Sequence, residues 1–251
     1  MVEYSIAPFN AVPADQGQVL PKSGTGICDR IQAIHDRIHT SARRWGRAPE
    51  EIQLLAVSKT HPAQAITTAL ACGQRAFGEN YVSELTTKAQ ALAGQDLSWH
   101  FIGAIQSNKT RTLATIAQWV HGVDRVSIAR RLNDQRPDGL PPLQVCIQVN
   151  ISGETSKSGI DDASLPALAE TLAELPRLRL RGLMTIPAPS DDFDIQRRAF
   201  ARLRQAQDDL IRRGHDLDTL SMGMSDDLEA AIAEGATLVR VGTAIFGRRS
   251  G

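Results

Sequence analysis

Cysteine is scarce in this sequence: there are three, Cys28, Cys72 and Cys146, with neither a CxxC pair nor metal-type spacing. That argues against a disulfide scaffold or a zinc ribbon. It suits a reduced cytoplasmic protein whose thiols all act as small buried hydrophobes. Net charge is also lacking, since 28 lysines and arginines balance 28 aspartates and glutamates. A neutral chain has no overall field drawing it to nucleic acid or anionic lipid, so neither is expected as a partner. No run approaches the roughly 18 consecutive apolar residues of a membrane span. The opening residues have neither the basic start nor the apolar stretch of a secretory signal, which again points to the cytoplasm. Tyrosine occurs only as Tyr4 and Tyr81, leaving little scope for tyrosine acid–base chemistry.

What remains is an ordinary globular composition: 251 residues, 42% hydrophobic and 22% charged, enough for a large buried core. Residues 1–25 carry Pro8, Pro13, Pro21 and several glycines without periodicity, and read as a loosely attached extension. Residues 26–251 read as one domain. It opens on an amphipathic helix whose isoleucines fall at 27, 31, 34 and 38, one helical face.

From there short apolar runs alternate with helical stretches. The strand candidates are Ile52–Lys59, Arg75–Gly78, Ser98–Gly103, Trp119–Asp124, Leu143–Asn150, Leu178–Ile186, Thr219–Met222 and Thr237–Gly242. Helices are expected at Ala63–Ala71, Val82–Ala93, Leu165–Leu175 and Phe193–Arg213, among others. Asp191, Asp192 and Asp194 crowd the start of the last of these, Arg212 and Arg213 its end, and Gly214 stops it. Ser225, followed by Asp226 and Asp227, reads as a helix N-cap. Eight strands separated by helices, without hairpins, predict the α/β class and a parallel sheet. The count and the length favour closure into a (β/α)8 TIM-type barrel, with an open doubly wound sheet as the alternative.

Active groups of such a barrel project from the C-terminal strand ends, and two residues there are hard to explain by packing. Lys59 ends the run IQLLAVSK. An ammonium against an apolar interior is costly, and desolvation would lower its pKa until the amine forms a Schiff base; alternatively it snorkels into solvent. Arg240, in LVRVG, places a permanent cation in a central strand and needs a core carboxylate or a ligand atom as acceptor. Ser221-Met222-Gly223 and Gly242-Thr243 end strands 7 and 8, where this fold binds phosphate, though they would also serve as plain turns. Other signals are weaker. His35 and His39 lack a third metal ligand, Lys109 and Lys157 suit surface loops, and the arginines of QRRAFARLRQ suit a solvated helix face.

The segments AVSKTHPAQAI, FGENYVSEL, WHFIGAIQSNK, VNISGETSKSGI, RGLMTIPAP and LSMGMSDDLEAAIAEGATLVRVGTAIFG, running in order from about Leu54 to Arg248, closely resemble the YggS/PROSC family of pyridoxal phosphate homeostasis proteins. That family is similar in fold to the barrel half of alanine racemase, the type III fold of pyridoxal phosphate enzymes. The resemblance implies that Lys59 forms the internal aldimine with pyridoxal 5′-phosphate. It further implies that Arg240 faces the pyridine nitrogen, that Ser221, Gly242 and Thr243 hold the phosphate, and that Asn80, His100 and Met224 line the cofactor. An arginine beside the ring nitrogen keeps it unprotonated and weakens the ring as an electron sink. The tyrosine and the C-terminal β domain that complete a racemase have no counterpart in the nine residues after Gly242. A noncatalytic monomer is therefore expected, buffering vitamin B6 and supplying the cofactor to apoenzymes. The alternatives are a weak amino-acid racemase, a cofactor-free Schiff-base aldolase acting through Lys59, and an interaction module for which Lys59→Ala changes nothing.

Overall fold

The computed structural model describes residues 26–153 and 158–248; the N-terminal extension and Lys157 lie outside them. Eight strands, β1 (Gln53–Val57), β2 (Ala76–Glu79), β3 (Ser98–Phe101), β4 (Trp119–Val123), β5 (Leu143–Gln148), β6 (Leu178–Met184), β7 (Thr219–Ser221) and β8 (Leu238–Val241), pair in sequence order. All the pairs are parallel, and β8 pairs back onto β1 from Gln53↔Leu238 to Ala56↔Val241. The sheet is therefore a closed barrel, and the open doubly wound alternative falls. Each strand lies within its expected span or within one residue of it, because a parallel strand buried on both faces reads as a short continuous apolar run.

The helices are α1 (Ile27–Arg44), α2 (Ala63–Ala71), α3 (Val82–Ala91), α4 (Thr110–Ile116), α5 (Val126–Gln135), α6 (Leu165–Ala173), α7 (Phe193–Arg212), α8 (Leu228–Ala233) and α9 (Thr243–Phe246). Ile31, Ile34 and Ile38 of α1 are buried, each contributing roughly 2–3 kcal/mol of apolar transfer. They seat α1 against α2, α8 and α9. At α7 the Asp192 carboxylate accepts from the amides of Asp194 (2.8 Å) and Ile195 (3.0 Å), satisfying the first turn. Gly214 beyond its end takes φ 99°, the left-handed stop that glycine adopts without strain.

Two expectations are corrected. Ser225 is not an N-cap: Asp227 turns its carboxylate onto the Met224 amide at 2.5 Å, so Ser225–Asp227 stays a loop and α8 starts at Leu228. The cysteines are not alike either. Cys146 is a buried thiol, pushed up to about 12 by burial. Cys28 on α1 and Cys72 just after α2 form a disulfide, with Cα atoms 5.5 Å apart. Helix packing brings together two residues 44 apart in sequence, which spacing alone does not reveal. Among the described residues no helix is long and apolar enough to cross a membrane.

Candidate functional site

The outer faces of the strands meet the helices in one apolar layer, with Phe77, Phe101, Ile66, Leu85 and Leu113 fully buried. The inner faces differ. Leu55, on the opposite face of β1 from Leu54 and Ala56, packs with Ala76, Leu238 and Ile102 in a small separate cluster. Beside it lie the buried polar residues His100, His121, Ser221 and Arg240.

At the C-terminal strand ends this interior opens into a cavity of about 920 Å³ lined by Lys59, Asn80, Ile102, Met224, Arg240, Gly242 and Thr243, among others. Six of the eight residues singled out in the sequence thus reach one cavity from the ends of β1, β2, β7 and β8. Ser221 and His100 do not line it. They stand one layer deeper, fully or almost fully buried.

The deeper layer holds Arg240. Its Nη1 donates to the Ser221 carbonyl (2.6 Å) and Oγ (2.9 Å), and its Nη2 to the Thr185 carbonyl (2.8 Å). The acceptors are strand ends rather than the core carboxylate a buried guanidinium would ordinarily demand. Burial lowers Arg240 to about 10, with Asp227 nearby acting in the opposite sense, so it stays cationic at neutral pH. Arginine only donates, so Ser221 Oγ accepts from it. Ser221 Oγ also shares a proton with His121 Nδ1 at 2.8 Å, and His121 Nε2 shares one with His100 Nδ1 at 3.0 Å. His100 Nε2 is a buried atom with no partner among the described residues. Its ring stacks on Trp119, centroids 5.4 Å apart and planes 4° apart. Burial holds His100 down to about 3. His121 also falls well below the usual imidazole range, through burial first and then the charges of His100 and Arg240. Both rings are neutral.

Of the two readings of Lys59, the structure favours the solvated one. It is exposed at the cavity edge, because β1 ends at Val57, two residues before it. Its neighbours are held tightly: Ser58 is fully buried, and Thr60 has φ 65°, the single non-glycine residue with positive φ among those described.

The rest of the cavity suits a flat polar ring carrying an anionic tail. Asn80 Oδ1 is buried without a partner among the described residues, a cost that a bound donor would remove. A Cβ at Gly242 would come within 3.1 Å of the Val57 carbonyl, so glycine lets β8 end against β1 and brings backbone and the Thr243 hydroxyl to the cavity. Gly223 adopts φ 92°, and a Cβ there would lie 2.5 Å from Ala231; the turn after β7 requires glycine. An exposed amine, a fixed buried cation and a glycine–threonine turn together accommodate a phosphorylated aldehyde.

Some members of the site were not singled out in the sequence. His121, two residues after Trp119 on the same face of β4, signalled itself only by the alternation of a strand that packs on both faces. Ser58 and Glu79 were visible at the strand ends beside Lys59 and Asn80 but carried no assigned role; Ile186, and Ser225 expected as a helix start, line the cavity from loops.

The family model for the alanine racemase N-terminal domain matches residues 30–250. The pyridoxal phosphate homeostasis protein of Pseudomonas aeruginosa is 59% identical over 223 residues, 89% of this chain and 96% of that one. That of Escherichia coli K12 is 56% identical over 226 residues, 89% and 97% of the two chains. Among solved structures, PipY of Synechococcus elongatus with pyridoxal phosphate bound is similar at a TM-score of 0.78 and 37% identity, covering 88% of this chain and all 100% of that one. Alanine racemase from Corynebacterium glutamicum, at 18% identity and a TM-score of 0.65 over 86% of this chain and 60% of that one, shares the fold.

Proposed function

This chain belongs to the YggS/PROSC family of pyridoxal phosphate homeostasis proteins, built on the alanine racemase N-terminal barrel, and from that premise we propose that it binds pyridoxal 5′-phosphate through Lys59 and carries the cofactor rather than catalysing with it. The observation that carries this reading is the meeting of the exposed Lys59 and the buried cation of Arg240 at one cavity with the Gly242-Thr243 turn. When bound, the cofactor supplies an aldehyde for an amine and an electron-withdrawing ring.

The chain's residues divide the work. Lys59 presents its amine at the open edge, where the cofactor enters and leaves. Gly242, Thr243 and the backbone of the Ser221–Gly223 turn hold the phosphate, while the Ser221 hydroxyl serves Arg240 and His121. Asn80 and Met224 flank the ring. Arg240, held by Ser221 and Thr185, sets a permanent positive charge toward the ring nitrogen and opposes its protonation. That suppresses carbanion chemistry and leaves binding. A racemase would also need a second acid–base group across the substrate. Among the described residues the one tyrosine is Tyr81, 57% exposed and outside the cavity lining. We infer a cytoplasmic monomer that buffers vitamin B6, supports amino-acid balance and yields the cofactor to apoenzymes.

The test is the visible spectrum of the purified protein before and after borohydride, beside Lys59→Ala. The wild type should show a band at about 420 nm, expected of a protonated imine. Borohydride should bleach it and fix the cofactor on the Lys59 peptide, and Lys59→Ala should show no band. A wild type that stays colourless with added pyridoxal phosphate would refute the reading. Incubation with single enantiomers of amino acids then separates carrier from racemase.

A further inference from the structure

The segment that carries Lys59 is gripped from outside the cavity by a group of paired charges, two of them buried, to which the binding reading assigns no part. Lys88, on α3, is 6% exposed, and each of its three donors is used. Its Nζ lies 2.8 Å from the Ser58 carbonyl, 2.8 Å from Glu79 Oε1 and 2.8 Å from Glu84 Oε2. Glu79 is fully buried and also accepts from Ser58 Oγ at 2.6 Å. Glu84 accepts from the Thr60 amide at 2.6 Å. The residue before Lys59 is therefore held at its hydroxyl and its carbonyl, and the residue after it at its amide.

Burying one ammonium with two carboxylates does little for stability, since desolvation offsets most of the attraction. What such a cluster supplies is geometry. Thr60 is β-branched and sits at φ 65°, a conformation that persists only where surroundings enforce it, and the Glu84 contact lies on that residue's own amide. The electrostatics agree. Burial raises Glu79 above the ordinary carboxylate range despite the bonds from Lys88 and Ser58. Partial burial opposes ionisation of Glu84 too, but the bonds from Lys88 and the Thr60 amide outweigh it and hold Glu84 low. Glu84 is thus a firm anion at the edge of the cluster.

We propose that Lys88, Glu79 and Glu84 form a clamp on Ser58 and Thr60 that aims the Lys59 amine at the aldehyde, making Lys88 and Glu84 positioning residues of the site. This rests on the reading of Lys59 as the aldehyde-binding residue. The condensation it serves joins the Lys59 nitrogen to the aldehyde carbon and releases the aldehyde oxygen as water. The clamp acts on the amine's position and not on the phosphate or ring contacts.

The test compares two ligands on the same protein: pyridoxal 5′-phosphate, which condenses with an amine, and pyridoxine 5′-phosphate, an alcohol that cannot. Glu84→Ala is the first variant because Glu84 is the partly exposed member, its side chain 27% accessible. It should weaken pyridoxal phosphate binding about tenfold, the worth of one charge-assisted hydrogen bond, and slow the rise of the visible band. Binding of pyridoxine phosphate should stay within about twofold of wild type, since no contact to ring or phosphate changes. Glu84→Gln, which keeps an oxygen for the Thr60 amide, should restore most of the loss, and Lys88→Met should repeat the Glu84→Ala pattern more strongly. Glu84→Ala with wild-type affinity and rate for pyridoxal phosphate overturns the clamp, as does an equal loss of both ligands, which would mean the cavity itself had deformed. Failure of the underlying reading looks different: wild type would then form no band and bind the aldehyde no better than the alcohol.

Discussion

Thr60 holds a left-handed backbone at φ 65° with a side chain that disfavours it, at a cost on the order of 1–3 kcal/mol. Asparagine tolerates that region far better. Thr60→Asn should therefore raise the stability of the cofactor-free protein by up to about 1 kcal/mol, read as a higher urea midpoint; a lower midpoint would mean that the Thr60 side chain contributes more than its backbone costs. Arg240 shows the opposite economy. No carboxylate is bonded to it among the described residues, yet three bonds to Ser221 and Thr185 hold it almost fully buried. Carbonyls at strand ends become its acceptors, that of Thr185 and that of Ser221, which also takes the Thr185 amide at 3.3 Å. An arginine in a strand was visible as an anomaly; which oxygens would take its protons was not.

At the scale of elements, β3, β4, β7 and β8 are tied inside the barrel by the chain His100–His121–Ser221–Arg240. Both imidazoles are held below their ordinary value of 6.5, His100 to about 3 and His121 downward, with burial the first cause in each. The unfolded chain thus binds protons the folded one refuses. Stability is full above pH 6.5 and falls as the pH drops toward the folded values. Between pH 6.5 and 5, where carboxylates are still largely ionised, His100 should cost about 2 kcal/mol, and His121 acts in the same direction. Urea midpoints across that window should fall for the wild type and fall less for His100→Phe. An equal fall in both would show that His100 titrates normally.

For the whole molecule, the Cys28–Cys72 disulfide joins the leading helix to α2 across 44 residues of sequence that include β1. Closing a loop of that length stabilises by about 4 kcal/mol in the chain-entropy account. Adding a thiol reductant should lower the denaturation midpoint, and Cys28→Ser should lower it equally and abolish the response to reductant. Identical midpoints with and without reductant would show the two thiols unbonded in solution. In the cytoplasmic setting proposed here, reducing thiols keep the pair open, and α1 then holds its place through Ile31, Ile34, Ile38 and the Arg47 bond to the Ala236 carbonyl at 2.6 Å.

The sequence by itself determined the barrel and most of its boundaries. Strands buried on both faces and helices striped on one leave separable periodicities, and local residues such as Asp192 and Gly214 mark where elements begin and end. It also marked Arg240, a charge where packing alone would place none, and Lys59 at the end of a strand. Tertiary structure alone decided how those charges are satisfied. The His121–Ser221 contact spans 100 residues and the Lys88–Ser58 contact 30, and barrel closure sets both. No periodicity encodes a contact between elements. The same cause sent Ser221 inward to Arg240 and joined two cysteines expected to be small buried hydrophobes.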